Sequence, residues 1–267
     1  MRRFLTAFAY LSRWREILRC AAITSQWPRL TAAYLGIPVR FPFSITLASG
    51  PFEFREFSDV PTFWQIFFRE VYTVRPNDQL IIDAGANIGA STLYCLLRAP
   101  QAFVIAIEPA NDSCERLRDL IHRHGFANRY AIHQAALWDG SGTTTIDMNV
   151  GSQFRMTGRG GVEIPALTLD SIAAPYQAVD LLKIDIEGAE YQVLPAASAE
   201  TLSRIRRIEM EYHPSGDPRF CFGSCPIAAF AWTSPTIRVA GTVRLDSLAG
   251  GLFQPQLTPE GTAKPAS

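Results

Sequence analysis

The chain has 267 residues, 48% hydrophobic and 19% charged, which suits one α/β domain with additions and argues against a disordered protein. Basic and acidic side chains balance at 25 each, so no chain-wide basic excess points to DNA or RNA, and a small-molecule acceptor is the expected partner. No apolar run is long enough to span a bilayer, Arg13 and Arg15 interrupt any signal-peptide core, and Cys20, Cys95, Cys114, Cys221 and Cys225 are irregularly spaced like reduced thiols. Those features together predict no transmembrane segment and a cytoplasmic location.

Residues 1–35 read as helical and amphipathic, because Phe4, Leu5, Phe8, Leu11, Trp14 and Leu18 recur at helical spacing. Across the first 30 residues Arg2, Arg3, Arg13, Arg15, Arg19 and Arg29 face only Glu16. A solvated helix face is the first reading of such a run, and a weak membrane-surface contact the second. Residues 36–60 alternate aromatics with Pro38, Pro42, Gly50 and Pro51, a strand-and-turn pattern. Pro61 opens a helix expected over 62–71, and Pro76-Asn77-Asp78 makes a turn.

A repeating pattern then begins. Strands are expected at 79–83, 102–108, 130–136, 180–185 and 207–212. Helices are expected at 90–98, at 111–124 and from 189. An excursion of strands at 143–149 and 162–165 surrounds a glycine-rich loop, and 169–173 is a short turn or helix. Strands alternating with helices imply a parallel, Rossmann-like sheet with helices on both faces, whose ligands sit beyond the carboxyl ends of the strands. The expected division is an N-terminal helical and strand extension at 1–75, the sheet domain at 76–213 and an irregular C-terminal segment, partly disordered, at 214–267.

Four motifs carry chemistry. In the stretch Ile81 to Thr92, reading IIDAGANIGAST, a buried strand runs into Asp83, then Gly85 and Gly89, then a helix. Glycines let backbone approach a ligand closely, and Asp83 suits a cationic amino group or exposed loop amides. The dehydrogenase fingerprint needs glycines where this chain has Gly85, Asn87 and Ala90, which argues against a dinucleotide. An NAD(P)-dependent oxidoreductase on a similar sheet is therefore the alternative enzyme. Glu108 ends the next strand, where an acid accepts both ribose hydroxyls. Asp185, Glu187 and Glu190 crowd the end of a later strand; like charges so close raise one another's pKa and suit a general base or a metal, whereas Glu187 and Glu190 also suit the first turn of a helix. Glu209, Glu211 and His213 share one face of the last strand, so His213 is either a base near neutral pH or a rim histidine bonded to a carboxylate. A divalent metal held by Asp185, Glu211 and His213 is a further option. His122, His124 and His133 read as structural or solvent-facing.

The segments IIDAGANIGAST, VIAIEP, QAALWD, EIPALTLDSI, DLLKIDIEGAEYQVL and RRIEMEYH occur in this order over residues 79–213, and with them the chain resembles the FkbM family of methyltransferases. The resemblance implies a class I methyltransferase sheet, binding of S-adenosyl-L-methionine and transfer of a methyl group to a hydroxyl oxygen, often on a sugar or natural product. The cofactor set it implies is Asp83, Gly85, Ala86, Asn87, Gly89, Ser91, Thr92, Glu108, Pro109 and Ala136. Asp185, Glu187, Glu190 and His213 would edge the acceptor site and carry catalysis. Residues 215–267 depart from the family, showing neither the helix nor the closing strands expected after EYHP. That departure motivates the last alternative, a methyltransferase-like binding protein without activity.

Overall fold

Apolar residues at helical spacing fold the N-terminal stretch into helices Trp14–Ile23 (α1) and Trp27–Tyr34 (α2). The structure is a computed structural model that describes residues 14–147, 155–156, 161–211 and 242–246. The expected single helical segment breaks between these two helices, because Pro28 in the first turn of α2 lacks the N–H that a continuous helix requires. Strands Phe43–Leu47 (β1) and Gly50–Phe54 (β2) pair as an antiparallel hairpin. Helix Asp59–Trp64 (α3) starts earlier than expected, with Pro61 tolerated in its first turn, and continues into a π-helical turn at Gln65–Arg69.

The alternating part follows in chain order: Leu80–Ala84 (β3), Ala90–Arg98 (α4), Phe103–Ile107 (β4), Asn111–Arg123 (α5) and Tyr130–His133 (β5). The strand expected over 130–136 is two strands, because the chain leaves the central sheet after His133 and pairs Ala136–Leu137 (β6) elsewhere. Gly142–Asp147 (β7), Arg155–Met156 (β8) and Val162–Leu167 (β9) complete that second sheet, in the order β6-β9-β7-β8. Leu169–Ala173 (α6), Leu181–Ile184 (β10), Glu190–Ala196 (α7), Ala199–Arg204 (α8), Arg207–Glu211 (β11) and Thr242–Asp246 (β12) return the chain to the central sheet. Helix α8 had no counterpart in the sequence reading, although its signal is local: Ser198 accepts the Thr201 N–H and caps it. Strand β12 falls within the segment expected to be irregular, and it pairs antiparallel with β11.

The central sheet runs β12-β11-β10-β3-β4-β5, parallel except for β12. From β3 the chain builds outward through β4 and β5, then returns to add β10 on the other side. The β3–β10 boundary is thus the topological switch point, where the loops beyond the two carboxyl ends diverge and leave a crevice.

Strand alternation feeds two cores. Ile81, Val104, Ala106 and Leu181 point to one face, where aromatics such as Phe52, Phe54, Phe63, Trp64 and Phe68 from the hairpin, α3 and the π-helical turn cover them. Burying each such ring contributes about 1.5–3 kcal/mol. Ile82, Ala84, Ile105, Ile107, Leu182, Ile184, Ile208 and Met210 point to the other face, against Leu169, Val193, Leu194 and Leu202. The aromatic face changes character toward β11, where Asp83, Lys183 and Glu209 stand side by side in register.

Candidate functional site

The loop after β3 is held by backbone geometry that few residues allow. The Gly85 and Ala86 N–H groups both donate to Ile107 O, at 2.9 and 3.1 Å, which ties the loop to the end of β4. Gly85 has a φ of 75°, and a Cβ there would lie 1.7 Å from the Asp185 carbonyl oxygen, so only glycine lets this loop lie against the end of β10. A Cβ on Gly89 would meet Leu117 of α5 at 2.8 Å. The two glycines thus serve close packing of neighbouring elements.

Glu108 lies just past β4 and is 4% exposed. Its Oε2 accepts the Asn87 N–H and its Oε1 the Ala110 N–H, each at 2.9 Å. Burial pushes its pKa up to about 6, against the opposing pull of those two amides and of Lys183. Each carboxylate oxygen has a further lone pair, so the group holds the loop and still has capacity to accept ligand hydroxyls.

Asp83 faces the other way. It shares the aromatic face with Ile81, is fully buried, and accepts the Ser91 Oγ–H at 2.7 Å and the Thr92 Oγ–H at 2.6 Å on Oδ2. Its Oδ1 is 3.1 Å from Lys183 Nζ. Sequence reasoning assigned no role to Lys183, yet a lysine inside the apolar strand LLKID was a signal, since a buried ammonium requires partners. Lys183 Nζ also donates to Gly85 O at 2.6 Å and to Ala84 O at 3.3 Å. Burial alone would lower its pKa, but Asp83 and Asp185 outweigh burial and raise it, so the ammonium is retained. Asp83, Ser91 and Thr92, expected among the cofactor contacts, therefore have one another and Lys183 as partners.

Segment 72–78 covers this polar row. Tyr72, also unforeseen, is 4% exposed and donates to Asp185 Oδ2 at 3.4 Å, with Lys183 Nζ 5.5 Å from its ring centroid. Burial and the nearby carboxylates of Asp185, Glu211 and Asp83 push its pKa well above the ordinary tyrosine value, so it stays a donor. The Thr73 N–H donates to Glu209 Oε2 at 2.6 Å, and Arg207 forms a fork to both oxygens of Asp78 at 2.9 and 2.7 Å. Glu209 is thereby absorbed into a buried structural network.

The three acids after β10 differ in setting. Asp185 and Glu187 are half-buried, and Glu187 has a φ of 55°. Glu190 is fully buried at the start of α7, and its Oε1 accepts the Ile186 N–H at 3.1 Å, closing the turn between them. That matches the helix-terminus alternative for this acid.

A cavity opens at the switch point. Gly85, Glu108, Pro109, Ala136, Asp185 and Glu187 line it together with Ile107, Ala135, Leu137, Ile186 and Ala189. Of the expected cofactor residues, Gly85, Glu108, Pro109 and Ala136 meet there; Ala86, Asn87 and Gly89 belong to the supporting loop. The lining thus combines three acids, Glu108, Asp185 and Glu187, with apolar side chains such as Ile107, Leu137 and Ile186. His213 lies outside the described residues. Among those described, no cluster of three His, Cys, Asp or Glu side chains is arranged to hold a metal, and no helix is long and apolar enough to cross a membrane.

The chain is 28% identical over 197 residues to the 31-O-demethyl-FK506 methyltransferase FkbM of Streptomyces tacrolimicus, covering 56% of this chain and 74% of that protein. It is 26% identical over 185 residues to the 2-O-methyltransferase NoeI of Sinorhizobium fredii, covering 61% and 73%. Among solved structures, it is similar to a methyltransferase FkbM from Methylobacillus flagellatus KT, with 18% identity and a TM-score of 0.38 over 58% of this chain; the match spans only 43% of that protein. The sequence pattern of the methyltransferase FkbM domain matches residues 83–231, more than half of the 267. The chain belongs to the FkbM methyltransferase family.

Proposed function

We propose that the protein is an S-adenosyl-L-methionine-dependent O-methyltransferase acting on a hydroxyl of a small molecule such as a sugar or natural product. The observation that carries this reading is the cavity at the β3–β10 switch point, where Glu108 and Asp185 face one space beside the glycine loop. The residues fit a cationic nucleoside. Glu108 retains acceptor capacity for a ribose diol after binding the Asn87 and Ala110 amides. Ile107, Pro109, Ala135, Ala136 and Leu137 form an apolar slot suited to an adenine ring. Asp185 and Glu187 supply negative charge toward a sulfonium, which S-adenosylhomocysteine lacks. The names of two relatives specify O-methylation, which supports oxygen as the acceptor atom.

When bound, the cofactor supplies an electrophilic methyl group. The protein's own contribution is positioning and proton removal. Asp185 is the proposed base, because it lines the cavity and its carboxylate is held in place by the Tyr72 hydroxyl. Tyr72 orients the carboxylate and Lys183 fixes the loop beside it. Glu187 lines the acceptor side, Glu190 shapes the turn, and His213, outside the described residues, is retained as a second candidate base. Asp83, Ser91 and Thr92 hold the loop through Lys183 without touching the ligand.

Calorimetry with S-adenosylhomocysteine tests the reading. Glu108→Gln should weaken binding by at least about 100-fold, the loss of two hydrogen bonds to a charged group. Asp185→Asn should leave that affinity within a few-fold while turnover on a panel of sugar and natural-product alcohols falls about 100-fold or more. Wild-type protein that bound NAD and ignored S-adenosylhomocysteine would overturn the proposal in favour of the oxidoreductase.

A further inference from the structure

Eight large hydrophobic side chains are exposed among the described residues, and six of them crowd into the N-terminal helices and the turn that follows: Trp14, Leu18, Ile23, Trp27, Leu35 and Ile37. Helix geometry explains part of this. On α1 the core takes Cys20, with Ile17 packed beside it. At 100° per residue, Trp14, Leu18 and Ala22 fall within roughly 80° of one another, on a side turned away from Cys20. The apolar stripe of α1 is therefore wider than the core covers, and Trp14 and Leu18 are 54% and 58% exposed.

Charge is distributed to match. Glu16, the only acid in the first 30 residues, is engaged inward: its Oε2 accepts the Trp64 Nε1–H at 2.6 Å, and its Oε1 is 3.8 Å from Arg69 Nε. Arg15 lies on the exposed side with its guanidinium 5.5 Å from the Trp14 ring. The preceding stretch adds Arg2, Arg3 and Arg13 and no acid. An aromatic and aliphatic stripe flanked by arginines matches the headgroup zone of an anionic bilayer, where tryptophan rings sit at the interface and guanidinium groups meet phosphate.

We propose that α1 docks the protein onto a membrane surface carrying anionic phospholipid headgroups, with Trp14 and Leu18 entering the interface and Arg15 pairing with phosphate. Each basic residue near such a surface strengthens binding roughly fivefold at moderate salt. This inference is independent of the methyl-transfer reading.

The test is co-sedimentation of the full chain with phosphatidylcholine vesicles that contain or lack phosphatidylglycerol. Wild type should bind the anionic vesicles at least about tenfold better than the neutral ones, and the preference should shrink with added salt. A Trp14→Glu/Leu18→Glu double variant, altering only exposed side chains, should lose at least about tenfold of that binding with its melting temperature and S-adenosylhomocysteine affinity unchanged; Arg15→Glu should lose less. Absence of wild-type binding, or equal binding by the double variant, would overturn the proposal. So would a wild-type dimer that ignores vesicles and that the double variant converts to monomer, because the face would then belong to a second copy of the chain.

Discussion

Replacing Lys183 with methionine tests the arrangement at its most buried point. The ammonium is 3.1 Å from Asp83 Oδ1, and the two side chains are 3% and 0% exposed. Methionine keeps the length and removes the charge, leaving a carboxylate inside the sheet with only the Ser91 and Thr92 hydroxyls as donors. Breaking a buried pair from one side costs about 3–5 kcal/mol. The Gly85 and Ala84 carbonyls lose their donor in the same change, which places the expected loss at the upper end of that range. Adding Asp83→Asn removes the stranded charge, so the double variant should be less destabilised than the sum of the singles by about 1–3 kcal/mol. Urea denaturation of wild type, both singles and the double measures this, using midpoints at constant slope. If the two changes add to within about 0.5 kcal/mol, the pair is not coupled and the reasoning about Lys183 fails.

Three further outcomes follow from the geometry. Gly85→Ala should abolish folding or cofactor binding, because its Cβ would lie 1.7 Å from Asp185 O; Gly125→Ala, also at positive φ but with nothing within 4 Å, should cost only about 1–2 kcal/mol by thermal melting. The raised pKa of Glu108, about 6, gives the free protein stability that is present below pH 4.5 and lost as pH rises through 6. Ligand hydroxyls require the ionised form, so S-adenosylhomocysteine affinity should be flat above about pH 7 and fall roughly tenfold per unit below 6, a profile that Glu108→Gln flattens. His124 Nδ1 is 2.6 Å from Ser49 Oγ and its Nε2 3.0 Å from Pro51 O, and burial lowers its pKa below the ordinary 6.5. A depressed histidine stabilises the fold above its unfolded pKa, so stability should fall as pH drops through 6.5, and His124→Gln should remove that part of a melting-temperature profile.

What the sequence disclosed and withheld follows from interaction range. Strands β3, β4 and β10 are buried on both faces, so they read as continuous apolar runs and were placed within a residue or two. The glycine loop and Glu108 were legible because strand, turn and helix are consecutive in the chain. Tyr72 was not, since the residue it orients, Asp185, is 113 positions away and only the fold brings them together. Strand β12 was hidden for a related reason: its partner β11 lies 31 to 39 positions upstream, and one short alternating run, TVRLD, is too little local signal to stand out. The split of the 130–136 strand was equally invisible, because periodicity reports burial and not which sheet a strand joins.

The acids mark the boundary most clearly. By type and position at or just past strand ends, Asp83, Glu108 and Asp185 are near equivalents in sequence, and Glu190 follows them at the start of α7. Environment separates them: Asp83 stands opposite Lys183 and pairs with its ammonium, and Glu190 accepts the Ile186 amide. Glu108 lines the cavity with acceptor capacity left and a raised pKa, while Asp185 lines it with its carboxylate held by Tyr72. Environments that push chemically alike groups apart are how a fold assigns distinct roles. Under the proposed function, Glu108 is therefore the ligand's partner and Asp185 the acceptor's base. The Asp83–Lys183 pair, touching neither, is the clamp that keeps the glycine loop where Glu108 and Asp185 can share one cavity.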